Sequence, residues 1–277
     1  MKFSLITATV GRSSELTKLL ESLRTQSLQN FELVVVDQNP DDRLLPILAV
    51  YEIEFSIVHC RSGPGLSHAR NVGLQRTSGD IIAFPDDDCW YSQNLLESVA
   101  RLFTDDPKLD GITGRPIDPR AQGFDTAGGE VDLRNVFRRG ISYTIFLRER
   151  IVRAVGDFDE SLGLGANSGK IGLEETDYLI RALSPASQIR YFPDIKVFHS
   201  DSPLVYDDAA IRRQFGTGLA LGSVLKKHRY PFSFALYYCL RPLVSTALSL
   251  LSFQGRKARY HFAAFRGRIS GWLGSPD

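Results

Sequence analysis

The chain has 277 residues, 43% of them hydrophobic, which is ample for one sizeable core or at most two domains. Its formal net charge of +1 conceals an asymmetry: from Ala209 onward eleven Lys and Arg face the single acid Asp277, a net +10, which leaves −9 on the remainder. A basic tail on an acidic body points to an anionic contact, and three widely spaced cysteines, Cys60, Cys89 and Cys239, exclude metal or disulfide spacing and suit a cytoplasmic location.

The N-terminal "MKFSLITATV" has no small-residue cleavage pattern and reads as a first buried strand, not a signal peptide. Ser13 is placed to cap a helix whose Leu16, Leu19, Leu20 and Leu23 recur at i, i+3, i+4 and i+7. "FELVVVD" is a second buried strand and "EFSIVHC" a third. "LSHARNVGLQR" reads as a helix with Ser67 as its cap and Gly73 as a weak spot. "GDIIAFP" is another strand, followed by a helix carrying Leu95, Leu96, Val99, Leu102 and Phe103. This alternation predicts an α/β fold built on a doubly wound, mostly parallel sheet. "AQGFDTAGGEVDLRNVFRRGIS" then lacks periodicity and reads as a loop-rich acceptor region. The glycine-rich 163–172 is either a loop that closes over a ligand or an ordinary surface loop. Glu174, Glu175 and Asp177 open a further helix, where acids also favour the dipole without any catalysis.

Residues 232–253, "FSFALYYCLRPLVSTALSLLSF", have the length of a membrane span, but Arg241-Pro242 would sit near its centre. Arg241, Ser245, Ser249 and Ser252 instead share one helical face, with basic residues on both sides. The segment is thus an amphipathic helix suited to peripheral contact with an anionic membrane through 226–268, or to packing on the protein's own core.

Polar groups collect where the strands end: Thr9 and Arg12 after the first, Asp37 at the second, Asp86 to Asp88 after a later one. In open α/β sheets that edge is where ligands bind. Three adjacent carboxylates after an apolar strand suit a hard divalent cation, Mn²⁺ or Mg²⁺, bridging a diphosphate. In an extended segment Asp86 and Asp88 would point together and Asp87 elsewhere.

"TATVGR", "VVVDQ", "GLSHARNVGL", "FPDDDCW", "GLEETDYLIRAL" and "YFPDIKVFH" occur in the order seen in family 2 glycosyltransferases, and the resemblance spans roughly residues 2 to 230. It implies a GT-A fold, with a catalytic domain over 1–208 (nucleotide-binding half about 1–115, acceptor and base half about 116–208) and a basic helical extension over 209–277. It implies an inverting, metal-dependent transferase of the hexosyltransferase type, using a nucleotide-sugar donor, UDP favoured, and a carbohydrate or lipid-linked acceptor. Carried over by position, Thr7, Ala8, Thr9, Arg12 and Asp37 hold base and ribose, and Arg70 meets the nucleotide and its phosphates. Asp86 and Asp87 join the nucleotide group, Asp86, Asp88 and His199 hold the metal, and Glu175 is the base with Glu174 as its competitor. The chain departs from the family at Ala8, where Pro is common, at Gln38-Asn39-Pro40, where Asp-Gly-Ser is common, and at Glu175, where Asp is commoner. The alternatives are a nucleotidyltransferase, a non-catalytic nucleotide- or nucleic-acid-binding protein using the +10 tail, and an inactive transferase.

Overall fold

A computed structural model of the chain describes residues 1–118, 123–183, 187–200 and 204–274. The chain divides into two compact units, one of Met1–Pro64, His68–Phe158 and Tyr178–Asp201, the other of Gly65–Ser67, Asp159–Asp177 and Ser202–Asp277.

The first unit alternates strand and helix as its hydrophobic pattern requires. β1 (Phe3–Thr9), α1 (Ser14–Arg24), β2 (Phe31–Asp37), α2 (Leu45–Tyr51), β3 (Ser56–Arg61), α3 (Leu66–Leu74) and β4 (Ile81–Ala83) form its N-terminal half. β5 (Cys89–Tyr91), α4 (Leu95–Asp105), β6 (Gly111–Ile117), β7 (Gly129–Glu130) and α5 (Val136–Arg139) follow. After a 3-10 turn at Ser142–Thr144 come β8 (Ile145–Arg148), α6 (Glu149–Val155), α7 (Glu174–Ala182) and β9 (Ile189–His199). The boundary between the units passes through α3 and α7.

Among the described residues the strands form one mixed sheet of order β3-β2-β1-β4-β8-β6-β9-β5, with β7 on β9. β1 to β4 are mutually parallel, as their crossover helices dictate. β8 runs antiparallel to β4 and β6, and β9 runs parallel to β6 but antiparallel to β5. The sheet is therefore parallel where helices alternate with strands and mixed beyond β4. β9 loses register at Pro193–Ile195, where Gly114 pairs with Phe192 but Arg115 with Lys196. A bulge is where a strand tolerates proline, and a Cβ on Gly114 would lie 2.3 Å from the Ile195 carbonyl oxygen.

α1 lays Leu16, Leu19, Leu20 and Leu23 on the sheet, and α4 adds Leu95, Leu96, Val99 and Phe103. Two caps differ from expectation. Ser13 caps α1 through its backbone carbonyl, which accepts from Thr17 N at 3.0 Å, and its side chain makes no cap bond. Ser67 lies inside α3, and its hydroxyl donates to the Leu162 carbonyl at 2.6 Å. Gly73 has a packing reason: a Cβ there would sit 2.4 Å from Ile6 Cγ2, so the absent side chain lets α3 approach β1 closely.

The second unit is dominated by α8 (Asp208–Lys227), α9 (Phe232–Leu251) and α10 (Gly255–Leu273). α8 and α10 touch through glycines spaced four apart. A Cβ at Gly222 would lie 2.1 Å from Arg268 O, and one at Gly271 would lie 2.1 Å from Leu219 O. α9 carries Pro242 in its interior, which removes the bond to the carbonyl of Tyr238 four residues earlier. Arg268 of α10 supplies the missing donor, with Nη1 2.5 Å from that oxygen. α9 packs mainly on α10, and its buried residues are Ala235, Cys239, Pro242 and Ser249. Cys60, Cys89 and Cys239 are free thiols.

Candidate active site

The parallel register sets Thr9 beside Asp37 at the carboxyl edge of β1 and β2. Leaving β4 near the middle of the sheet, the chain crosses to the far edge, where it re-enters as β5, and the aspartates sit on that crossing. They occupy a turn, not an extended segment, since Cys89 N bonds back to Asp86 O at 3.2 Å. A turn splays neighbouring side chains, so each carboxylate meets different partners.

Asp86 accepts from Arg70 Nη2 at 3.0 Å and from Ser142 Oγ at 3.1 Å. Asp87 accepts from Thr9 Oγ1 and from Arg12 Nη1, both at 2.7 Å. Asp88 pairs with Arg12 Nη1 at 2.7 Å and with His199 Nε2 at 2.9 Å, and accepts from Ser200 Oγ at 3.0 Å. Despite the turn, Asp86, Asp88 and His199 converge: one donor atom from each lies within 4.8 Å of the others. His199 arrives because β9 pairs with β5 so that His199 stands opposite Cys89, the residue after Asp88. Tyr143 stacks on the imidazole at 4.9 Å between ring centres, and His199 Nδ1 lies 3.6 Å from an Asp118 oxygen.

Electrostatics separate the three groups. Burial is the largest influence on Asp87 and raises its carboxyl above the usual range despite Thr9 and Arg12. Burial also opposes ionisation of Asp88, but the hydrogen bond and charge of His199, with Arg12 and Ser200, hold it below that range. His199 is correspondingly raised: burial pulls it down, and the Asp88 bond and charge more than offset this.

Arg70 is only 2% exposed, with its guanidinium 5.5 Å above the Phe158 ring. Thr7 is fully buried and donates to the Pro85 carbonyl at 3.2 Å, tying β1 to the start of the turn. Ala8 is half-buried beside it. Asp37 Oδ1 accepts from the backbone N and side-chain Nδ2 of Asn39 at 2.8 and 2.7 Å, and Oδ2 lies 3.1 Å from His59 Nε2. Asn39 Oδ1 in turn accepts from Gly11 N at 2.7 Å, so the residue that departs from the family pattern ties the loop after β1 to the end of β2.

Glu174 and Glu175 belong to the second unit. Glu174 is 3% exposed, whereas Glu175 is half-buried. Both begin α7 directly after Leu173, whose φ of 67° is unusual for a bulky side chain, and after four glycines at positive φ in 163–172. Gly163 needs its freedom twice over, because a Cβ there would also meet Ser67 Oγ at 3.1 Å and Glu174 Oε2 at 3.2 Å. Asp177, fully buried, pairs with Lys227 Nζ at 2.7 Å and His228 Nε2 at 2.8 Å. Lys227 also reaches Asp159 at 2.6 Å, so one network fixes the first turn of α7 to the end of α8.

Sequence reading did not single out Ser142, Tyr143, Ser200, Asp118 or His59. "RGISYT" carries no periodicity or motif, and these contacts depend on strand pairing between distant segments. Of the predicted acceptor stretch, Ala121 and Gln122 lie outside the described residues.

The chain matches Glycosyl transferase family 2 over residues 4–148, just over half its length. The chain belongs to glycosyltransferase family 2. The match takes in β1 to β8 and all three aspartates of this family 2 chain, and ends before Glu175 and His199. Among sequences, it is 31% identical over 102 residues to the "Uncharacterized glycosyltransferase YwdF" of Bacillus subtilis, covering 36% of this chain and 38% of that one. Across this and two further bacterial relatives the chain covers only 37% to 48% of their length. Among solved structures, S. aureus TarS 1-349 in complex with UDP has a TM-score of 0.61 at 20% identity, covering 98% of this chain and 91% of that one. The mannosyltransferase PcManGT from Pyrobaculum calidifontis, in complex with GDP-Man and Mn²⁺, has a TM-score of 0.64 at 13% identity, covering 98% and 87%. At these identities the structures establish a shared GT-A fold.

Proposed function

We propose that the chain transfers a sugar from a nucleoside diphosphate donor to an acceptor hydroxyl with inversion. The observation that carries this reading is the convergence of Asp86, Asp88 and His199 at the carboxyl edge of the sheet. Two carboxylates and one imidazole suit Mn²⁺ or Mg²⁺, hard cations that take oxygen ligands with an occasional nitrogen. Arg70, Ser142, Ser200 and Tyr143 orient these three side chains, the kind of outer support that metal ligands need. The chemistry a divalent cation supplies when bound there is neutralisation of charge on the departing diphosphate.

Thr9 and Asp37, paired in register, face the nucleoside together with Arg12 in this reading, and Arg70 brings positive charge to its phosphates. Thr7 acts through the turn it anchors. The complexes of TarS with UDP-GlcNAc and of PcManGT with GDP-Man support a nucleotide-sugar donor and leave the base to experiment. UDP is the favoured one. Glu175 takes the proton of the acceptor hydroxyl. Its partial exposure supports that role over Glu174, which is buried, and Asp177, which is committed to Lys227 and His228. One base and one displacement invert the anomeric centre. The free thiols suit the reducing, cytoplasmic side of a membrane. A nucleotidyltransferase fits less well, because the loop after β1 turns its arginine onto Asp87 and Asp88 and offers no glycine-rich phosphate cradle.

A screen of sugar nucleotides with Mn²⁺ and simple acceptors tests the assignment. Wild-type protein should release nucleoside diphosphate from one donor, and Glu175→Gln should lose at least about a hundredfold in rate, as loss of a general base does, while still binding that donor. Full activity in Glu175→Gln would remove this residue from the role.

A further inference from the structure

The C-terminal helices carry a surface that the nucleotide site does not use. α9 turns Leu236, Leu240, Val244, Leu248 and Leu251 outward, spaced four, four, four and three residues apart, one stripe on a helix of 3.6 residues per turn. Val244 is 63% exposed, Leu248 59%, and Phe253, just past the helix, 98%. Scattered exposed leucines need no explanation, but a continuous stripe of this length marks a docking face.

Its charge decides what docks. From Ala209 to Gly274 the sequence has eleven cations and no acid. Arg241 is exposed on α9, and Arg256 and Lys257 open α10 just beyond the end of the stripe. A protein partner matched to such a face would need an acidic apolar surface, whereas an anionic bilayer offers both components across its whole area. A groove adds a specific feature. Between α9 and α10 lies an open groove of about 330 Å³ lined by Ser245, Leu248, Ser252, Gln254, Lys257 and His261 among others. Hydroxyls, an amide, an ammonium and an imidazole are the donors a phosphate ester takes, and Leu248 belongs to both groove and stripe.

α9 has the length and apolar composition of a membrane-crossing helix. Three features set it in the interface plane instead. Arg241 and Pro242 fall midway along it, its inner face is committed to α10, and Arg268 holds the carbonyl that Pro242 releases.

We propose that α9 and the first turns of α10 form a docking surface for an anionic phospholipid bilayer, with the outward stripe among the acyl chains and lipid phosphates at the α9–α10 groove. The surface is independent of the transfer chemistry, so either can fail alone. Sedimentation of the full chain with vesicles tests it, comparing phosphatidylcholine alone with equimolar phosphatidylcholine and phosphatidylglycerol at about 0.1 M salt. Partitioning should be about tenfold or more stronger on the anionic vesicles and should weaken as salt rises. Val244→Asp/Leu248→Asp should abolish it, and Arg256→Gln/Lys257→Gln should reduce it severalfold. Both variants change exposed or half-exposed positions, so each should keep the wild-type melting temperature and Mn²⁺-dependent nucleotide binding. Equal partitioning on both vesicle types, or wild-type binding by Val244→Asp/Leu248→Asp, would overturn the proposal. So would a wild-type dimer in solution that Val244→Asp/Leu248→Asp converts to monomer, which would assign the face to a second copy.

Discussion

Three consecutive aspartates persist after β4 because each carboxylate has its own cationic or hydroxyl partners. Arg12 and Arg70 both contribute, yet their removal should differ in effect. Arg70 is buried, so Arg70→Met leaves an uncompensated charge at Asp86 and should cost about 3 kcal/mol in chemical denaturation. Arg12 is 46% exposed, where solvent screens the loss, and Arg12→Ala should cost about 1 kcal/mol or less. The opposite ranking would mean that the surface arginine carries the turn. His199 was reached only through the family resemblance, whereas the carboxylates were legible in the sequence because an apolar strand ending in acids is a strong local signal. Their geometry was not: an extended segment was expected, and a turn is found. Ser142 and Ser200, 56 and 112 residues from the aspartates they contact, bear no local mark of that role. The burial of Arg70 was equally hidden, since a helical arginine is ordinarily on the surface.

At the scale of elements, β1 to β4, α1 and α3 follow directly from short apolar runs and period-3.6 patterns, so they were the readable half, whereas α2 was not read from the sequence. β7, β8 and the bulged β9 are short, irregular or interrupted by Pro193, and only tertiary pairing defines them. The C-terminal helices show the same limit. Their apolar content was plain, but the glycine contacts between α8 and α10 depend on which helices meet. Gly222→Ala must move a backbone carbonyl 2.1 Å from the new carbon and should destabilise by about 1–3 kcal/mol, measured as a lowered urea midpoint. Arg268→Met leaves the Tyr238 carbonyl without its charged donor and should cost about 1.5–3 kcal/mol. Adding Pro242→Ala, which restores the helix's own donor, should recover part of that loss. No recovery would show that Arg268 acts through packing alone. The Asp159–Lys227 pair adds a pH signature. Burial opposes ionisation of Asp159, but Lys227 and Ser161 outweigh it and lower its pKa from the ordinary 3.8. A depressed carboxylate stabilises above its unfolded pKa and loses that contribution as pH falls through the folded one. The stability gap between wild type and Asp159→Asn should therefore be full at neutral pH and close below about pH 3.8. A gap that widens on acidification would contradict the pairing.

For the molecule as a whole, family membership, the GT-A sheet and the grouping of polar residues at one sheet edge all agree with what ordered motifs implied. Donor base, acceptor and linkage were not legible, because loop surfaces carry no periodic signal and this chain departs from the family pattern at Asn39, which bonds Asp37. The claim on which the account turns is a metal-assisted nucleoside diphosphate site at Asp86, Asp88 and His199. Titration calorimetry of the full chain with UDP, GDP, dTDP and CMP, with and without Mn²⁺, and of Asp88→Ala in parallel, addresses it. The account predicts that one nucleotide, UDP first among them, binds only with Mn²⁺ and that Asp88→Ala loses this binding while remaining folded. Metal-independent binding, or unchanged binding by Asp88→Ala, would contradict it and leave the three aspartates as a turn held by two arginines and hydroxyl groups.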